Sequence, residues 1–133
     1  MEKEFVPYEL AVKLKELGFD EPCFGYYDGN HNFNYMFEGK PENFSYRKFP
    51  LGHSVGWTSA PTFSQAFRWF REKDNAVCEI LRKEDGNHSE FIGWVFINNR
   101  KIDVVSYWDS KTYEEAELAC LDKLIEIVES ENK

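Results

Sequence analysis

A chain of 133 residues that is 42% hydrophobic and 17% aromatic has enough apolar material for the core of one domain. It contains no apolar run of about 18 residues or more, as a membrane-spanning helix would need. It begins Met1-Glu2-Lys3-Glu4, without the apolar stretch of a signal peptide. We therefore expect a soluble protein that neither spans a membrane nor enters the secretory pathway.

The net charge of −8 argues against general nucleic-acid binding, for which a basic face would neutralise phosphates. The charge is unevenly distributed along the chain. Between Lys40 and Lys73 six cations stand against two acids, a net charge of +4, so the remainder carries −12. One basic segment in an acidic protein is a candidate contact region for an anionic ligand.

The cysteines indicate a reducing compartment. Cys23, Cys78 and Cys120 are odd in number and far apart, and none belongs to a C-x-x-C pair. This pattern predicts neither a disulfide framework nor a zinc site. Buried, reduced thiols in the cytoplasm are the expectation.

The first half of the chain predicts one helix followed by short strands. Apolar residues recur at helical spacing from Pro7 to Leu17, and Pro7 suits the first turn. Strand-like runs follow at Cys23–Asp28 and His31–Phe37, with Asp28-Gly29 as the hairpin turn. Phe44–Phe49 is a further strand candidate, and the prolines and glycines of 50–61 predict a loop.

The second half predicts a helix, three strands and a second helix. Thr62 with Gln65 forms a capping box for a helix over 62–73, on which Phe63, Ala66, Phe67 and Phe70 make the apolar stripe. A second capping box, Thr112 with Glu115, begins a helix that runs to about Ser130. The predicted strands between the helices are Ala76–Arg82, Phe91–Ile97 and Ile102–Trp108, with turns at Asp85-Gly86 and Asn98-Asn99.

We therefore predict a single α+β domain over 1–133, with helices packed on an antiparallel sheet. It comprises an α-β-β segment over 7–49, the 50–61 loop and an α-β-β-β-α unit over 62–130. The tetrapeptide Asp-Gly-Asn-His occurs at 28–31 and again at 85–88. A duplicated α-β-β unit would explain this repeat, and independent use of a good turn sequence is the favoured alternative.

The element order of 62–130 resembles that of the double-stranded RNA-binding domain, and the segment Ser110–Glu117 resembles the entry to that family's second helix. The family places lysines at this helix start to grip phosphates. Here the corresponding positions carry Glu114, Glu115 and Glu117, which would repel phosphates. The resemblance therefore implies the shape of that domain without its RNA binding.

A second resemblance covers most of the chain. Three stretches, at Phe5–Cys23, Ala60–Lys73 (APTFSQAFRWFREK) and Tyr113–Val128 (YEEAELACLDKLIEIV), are similar to small uncharacterised proteins of gut Bacteroidetes and of their phages and mobile elements. The resemblance implies a setting without a mechanism. It favours a small accessory protein that interferes with, or sequesters, a component of the host.

Catalytic motifs are absent from the sequence, which has no H-E-x-x-H, G-x-S-x-G, P-loop or G-x-G-x-x-G pattern. No metal or other cofactor is predicted, and a histidine-dependent hydrolase is the weakest functional interpretation. Such an enzyme would use His31, His53 and His88, with Asp28, Glu38 and Asp85 near them in the sequence.

The basic segment interleaves cations with aromatic residues. Aromatic faces can stack a base, and guanidinium groups can hold phosphate oxygens. Our functional prediction is a non-catalytic binding protein that holds a small anionic, nucleotide-like ligand. The predicted ligand-binding residues are Tyr46, Arg47, Lys48, Trp57, Arg68, Trp69 and Arg71.

The sequence is also compatible with two interpretations other than ligand binding. The aromatic residues of the segment could simply belong to the core, with the cations covering them and pairing with acids. The chain could also be an inhibitor or adaptor that binds a host protein through the acidic last helix or through exposed aromatic residues. The sequence does not predict an oligomeric state.

Overall fold

The computed structural model describes residues 4–35, 41–42, 57–85, 88–106 and 112–131. They form an α+β fold with antiparallel sheets, as the sequence predicts. The chain divides into two compact units, Met1–Gln65 and Ala66–Lys133. The predicted strand Phe44–Phe49 and most of the predicted 50–61 loop lie outside the described residues.

The first unit is built on a three-stranded antiparallel sheet with the order β2-β1-β3. Its strands are β1 (Gly25–Tyr27), β2 (Phe33–Tyr35) and β3 (Thr58–Ala60), and helix α1 (Tyr8–Glu16) precedes them. The predicted helix and the first predicted hairpin are thereby confirmed, with shorter strands than expected. The turn is fixed by Asp28, whose Oδ1 accepts hydrogen bonds from the backbone N–H groups of Asn30 (2.9 Å) and Asn32 (3.0 Å).

The loop prediction is wrong at its C-terminal end, because Thr58–Ala60 forms β3 and pairs with β1. Pro50, Gly52, Gly56 and Pro61 suggested a loop throughout, and a Thr-Ser-Ala triplet carries no strong strand signal of its own. All three residues of β3 are buried. Pairing with β1 and burial therefore determine this strand, and neither can be read from a local window.

One face of this sheet carries the core of the unit. Tyr27 and Phe33 face α1 and the segment before it, where the Tyr27 hydroxyl donates a 2.7 Å hydrogen bond to the Val6 carbonyl. The Phe5 ring lies 4.8 Å from the Phe33 ring, centroid to centroid. Both rings lie over Gly25, where a Cβ would come within 2.7 Å of Phe33 Cε2 and 3.0 Å of Phe5 Cε1.

The second unit contains the predicted meander, a sheet with the order β4-β5-β6. Its strands are β4 (Ala76–Asp85), β5 (His88–Ile97) and β6 (Arg100–Ser106). Asn98 and Asn99 form the turn between the last two strands, with φ angles of 53° and 65°. Positive φ at both central residues is the geometry of a type I′ turn, which asparagine tolerates, so this turn prediction is confirmed.

Helix α2 (Phe63–Asp74) begins where the capping box places it, since Thr62 Oγ1 accepts the backbone N–H of Gln65 at 3.1 Å. Helix α3 (Tyr113–Glu131) has the same cap, from Thr112 Oγ1 to the N–H of Glu115 at 3.2 Å. Both predicted helix starts are confirmed. In the described part of the chain, no helix is both long and apolar enough to cross a membrane.

Helix α3 packs on one face of the β4-β5-β6 sheet. The Cys78 thiol of β4 donates to the Cys120 carbonyl of α3 at 3.7 Å, and the rings of Phe91 and Tyr113 meet edge to face at 6.1 Å. The pKa of Cys78 is raised, first by its hydrogen bond with the Cys120 side chain and then by burial. The fully buried apolar residues of α3 include Cys120, Leu121, Leu124 and Ile125.

Gly25→Ala is expected to destabilise the protein by about 1–3 kcal/mol, because the added methyl group would collide with the two phenylalanine rings. Urea unfolding of the wild type and the variant measures this difference. Phe33→Leu removes the ring atom nearest the new methyl group, so the double variant should lose less than the sum of the two single losses. Strictly additive losses would contradict the close packing described here.

Candidate functional site

The predicted ligand-binding residues fall into three groups. Tyr46, Arg47 and Lys48 lie outside the described residues. Trp57 belongs to the first unit and immediately precedes β3. The other three, Arg68, Trp69 and Arg71, lie on α2 within the second unit.

The apolar stripe predicted for α2 leaves out Trp69, and this prediction is wrong. Its side chain is buried, with 8% exposure, and its ring meets that of Phe70 edge to face at 5.1 Å. Lys73 Nζ lies 4.6 Å from the centre of the Trp69 ring, in a cation–π contact. The buried face of the helix is centred on Ala66, so it includes Trp69 and leaves Phe67 only half-buried.

Arg68 and Arg71 are both exposed, as expected of residues outside the predicted apolar stripe of α2. They are three residues apart, so they lie on neighbouring positions of the helix surface. This placement puts both residues on the solvent-exposed surface of α2. It also matches an ordinary solvated helix face.

The aromatic pair that the structure brings together is Trp57 with Tyr26. Their rings are stacked, with centroids 4.5 Å apart and planes 23° from parallel. Both side chains are half-buried, so part of each ring meets solvent. Because side chains alternate along a strand, Tyr26 lies on the sheet face opposite the one that packs against α1.

Polar residues flank Tyr26 on both neighbouring strands. In the register of the sheet, Tyr26 pairs with Asn34 of β2 and with Ser59 of β3. The Asn34 side-chain N–H group donates to Asp28 Oδ2 at 3.2 Å and to the Asn32 carbonyl at 3.0 Å, which fixes the plane of the amide. Ser59 is buried, whereas Asn34 is half-buried. The half-buried Asn34 amide therefore lies beside the aromatic pair.

Sequence reasoning missed Tyr26 and Asn34 as site residues, although both lie in predicted strands. The signal was present in the period of two: Tyr26 and Tyr27 are consecutive, so only one of them can face the core. The sequence did not show that Trp57 would stack on Tyr26. That contact depends on the pairing of β3 with β1.

The Asp28 carboxylate accepts the hydrogen bonds that hold the 28–32 turn next to Tyr26 and Asn34. Its pKa is lowered, mainly by the hydrogen bond from the Asn32 backbone and further by those from Asn30 and Asn34, with His31 adding a favourable charge. The residue is half-buried. With its pKa lowered, it stays ionised at neutral pH and maintains the shape of the 28–32 turn.

Of the three histidines, His31 is the one whose side chain lies in the described part of the chain. His31 is exposed, adopts a positive φ of 65° and stacks on Tyr8 with ring centroids 3.9 Å apart. His53 and the side chain of His88 lie outside what the structure describes. Among the described residues, no group of three His, Cys, Asp or Glu side chains could hold a metal ion.

Cys23 is a buried residue just before β1 that forms an isolated bridge with Glu42. Its backbone exchanges two hydrogen bonds with Glu42 (2.8 and 3.0 Å), and its side chain bonds to those of Gln65 and Ser59. The Gln65 side chain, in turn, donates to the Pro22 carbonyl at 2.8 Å. Burial, with a smaller contribution from the charge of Glu21, raises the pKa of Cys23 to about 12, although the bonds from Gln65 and Ser59 lower it. Cys23 is thus a buried, protonated thiol, as predicted.

The acidic residues of α3 are distributed over its outer surface. Glu114, Glu115 and Asp122 are exposed, and Leu118 lies among them with 39% exposure. Burial and the neighbouring charge of Glu114 raise the pKa of Glu117. This surface matches the acidic face that the sequence predicts.

Comparison of the chain with protein-family models, with curated protein sequences and with solved structures finds no match.

We expect the stability of the first unit to fall in alkaline solution because of Cys23. Burial raises the pKa of the folded-state thiol to about 12, whereas in the unfolded chain the pKa of a cysteine is about 8.5. The folded pKa is the higher one, so this contribution is complete below about pH 8.5 and is lost as the pH rises toward 12. Between pH 8 and pH 10 the loss should be about 1–2 kcal/mol.

Urea unfolding at both pH values measures this loss, and Cys23→Ala provides the reference because it removes the ionising group. The wild type should lose more free energy of unfolding over this interval than the variant does. Equal losses would show that the Cys23 thiol is not buried as described.

Proposed function

We propose that the first unit binds a flat anionic ligand of the nucleotide class, with its ring stacked on the Tyr26 and Trp57 pair. The observation that carries this proposal is the parallel, half-exposed stack of the two rings on the sheet face opposite α1. No catalytic step is proposed. The protein would act by holding or sequestering its ligand.

The contacts at this pair suit a heterocyclic ring. Offset stacking is the favoured geometry for aromatic systems, and a third ring can extend an existing stack without disturbing it. The Asn34 amide is held in a fixed plane by Asp28 and the Asn32 carbonyl. Both N–H hydrogens of this amide are thereby engaged, so the group it can offer to the polar edge of a base is Oδ1, as a hydrogen-bond acceptor.

The negative charge of such a ligand needs a cationic partner. Arg47 and Lys48 belong to the same unit as Trp57, and together with Lys40 they are the cations of the basic segment in that unit. We propose them as the phosphate partners. Arg68 and Arg71 belong to the second unit and are tested separately.

The experiment follows the indole N–H signals of the four tryptophans by ¹H–¹⁵N NMR while nucleotides are added. The Trp57 signal is identified by its loss in Trp57→Phe. The probes are nucleoside mono-, di- and triphosphates, with nucleosides as rings without charge and pyrophosphate as charge without a ring. We expect the Trp57 signal to shift when nucleotides are added, and to shift less with nucleosides alone or with pyrophosphate alone.

Trp57→Ala should raise the Kd for the best nucleotide by about 10- to 100-fold, since stacking on an aromatic side chain contributes about 1–3 kcal/mol per base. Trp57→Phe should retain most of the affinity. Tyr113→Ala, which removes an aromatic ring of 47% exposure from α3, is the matched control and should leave the Kd unchanged.

Arg47→Ala and Lys48→Ala should weaken the binding of nucleotides and leave the binding of nucleosides unchanged, because only nucleotides carry phosphate. Arg68→Ala and Arg71→Ala report whether the cations of α2 take part. If no probe in the panel shifts the Trp57 signal, the proposal is wrong.

A second candidate function is binding of a host protein through α3. Leu118 is exposed among Glu115 and Asp122 on the outer side of this helix, so an apolar contact is surrounded by acids. Such a surface would suit a partner with a basic groove. Replacing Glu114, Glu115 and Glu117 with lysine would abolish a cellular effect that depends on binding a host protein. Trp57→Ala would instead abolish a cellular effect that depends on binding the ligand.

A further inference from the structure

Strand β4 forms an edge of the sheet in the second unit. Over Ala76–Asp85 it pairs with β5, and among the described strands it has no partner on its other side. An edge strand of this length presents a row of backbone N–H and C=O groups that another strand can bind. Leu81, near its middle, is 55% exposed.

The side chains of β4 alternate between two faces. Cys78 belongs to the face that packs against α3, together with Ala76 and Ile80. On the opposite face the strand presents Glu79, Leu81 and Lys83, all exposed. An acid and a base therefore lie symmetrically about an exposed leucine.

We propose that β4 binds the β4 strand of a second copy of the chain, antiparallel and with Leu81 on the two-fold axis. In this register Leu81 meets Leu81 of the second copy. Glu79 lies opposite Lys83 of the second copy, and Lys83 lies opposite its Glu79. Directly opposed residues in antiparallel strands have Cβ atoms about 4.5–5.5 Å apart, close enough for both ion pairs and for the apolar contact.

The same register is compatible with the other face. There Ile80 lies opposite Arg82 of the second copy, so no like charges are directly opposed at this position. The two Arg82 side chains lie diagonal to one another, and each is paired with Glu84 of its own strand at 2.8 Å. The two sheets would join into one of six strands, β6-β5-β4 followed by the same strands of the second copy in reverse order. An interface of this kind is isologous, because the same patch serves both protomers.

Charged residues on an edge strand can also serve to prevent pairing. A protective edge works best with charges that repel when two copies approach. Here the signs of Glu79 and Lys83 are opposite and equidistant from Leu81, so two antiparallel copies attract at both positions. The order of the charges therefore favours self-pairing over protection.

Sedimentation equilibrium of the full chain, from about 1 µM to about 1 mM protomer, tests the proposal. The wild type should move from the protomer mass of 15.7 kDa toward twice that mass as the concentration rises. Lys83→Glu and Glu79→Lys each place like charges opposite one another at two symmetric positions. Each should raise the dimer Kd by roughly tenfold or more.

The double variant Glu79→Lys with Lys83→Glu exchanges the two charges and restores their complementarity, so dimerisation should return. Arg100→Glu is the matched control: it makes the same change in net charge at an exposed residue of β6, two strands away from the proposed interface, so it should leave the Kd unchanged. Circular dichroism and thermal unfolding show that each variant is folded.

A wild type that is monomeric at about 1 mM would overturn the proposal and leave the edge available to a strand of another protein. Double and single variants that weaken the dimer equally would overturn the register. Both results are informative whether or not the chain binds nucleotides, because no variant here alters the Tyr26 and Trp57 pair.

Discussion

The absence of a side chain at Gly25 is the constraint on which the first unit depends. The rings of Phe5 and Phe33 close over this position, and a methyl group would meet both at distances of 3.0 Å or less. Because the rings can approach the backbone of β1 so closely, the N-terminal segment packs tightly on the sheet. The Tyr27 hydroxyl then satisfies the Val6 carbonyl at 2.7 Å, and Val6 donates its own N–H to the Pro61 carbonyl at 2.9 Å.

The candidate site is a consequence of the same strand. Because Tyr27 packs in the core, the pleat directs Tyr26 to the opposite face, where Trp57, the residue before β3, stacks on it. Packing on the inner face of the sheet thus positions Tyr26 on its outer face. This is the arrangement that a binding site needs, since the groups that contact a ligand are held by residues that do not.

Local chemistry was predictable from the sequence, and contacts that depend on tertiary packing were not. The caps at Thr62 and Thr112 and the turn at Asn98 and Asn99 follow from single side chains and a few neighbouring backbone groups. Trp69 was misplaced because α2 buries a face centred on Ala66, and the partner of a helix decides which face that is. β3 was missed because its pairing with β1 outweighs its weak propensity. The Trp57 part of the site could be predicted as an aromatic residue near cations, but its stacking partner could not.

The edge of β4 shows how one charge pattern can serve either of two opposite purposes. Charges on an edge strand prevent pairing when two copies bring like signs together, and they specify one register when opposite signs meet. In β4 the outcome depends on the position of Glu79 and Lys83 relative to Leu81, rather than on how many charges the strand carries. A shift of one residue along the strand would place Leu81 on the other face and separate both ion pairs, so this pattern favours a single register. Specificity of this kind is encoded in the order of three exposed side chains, and it becomes visible only when the strand is known to lie at an edge.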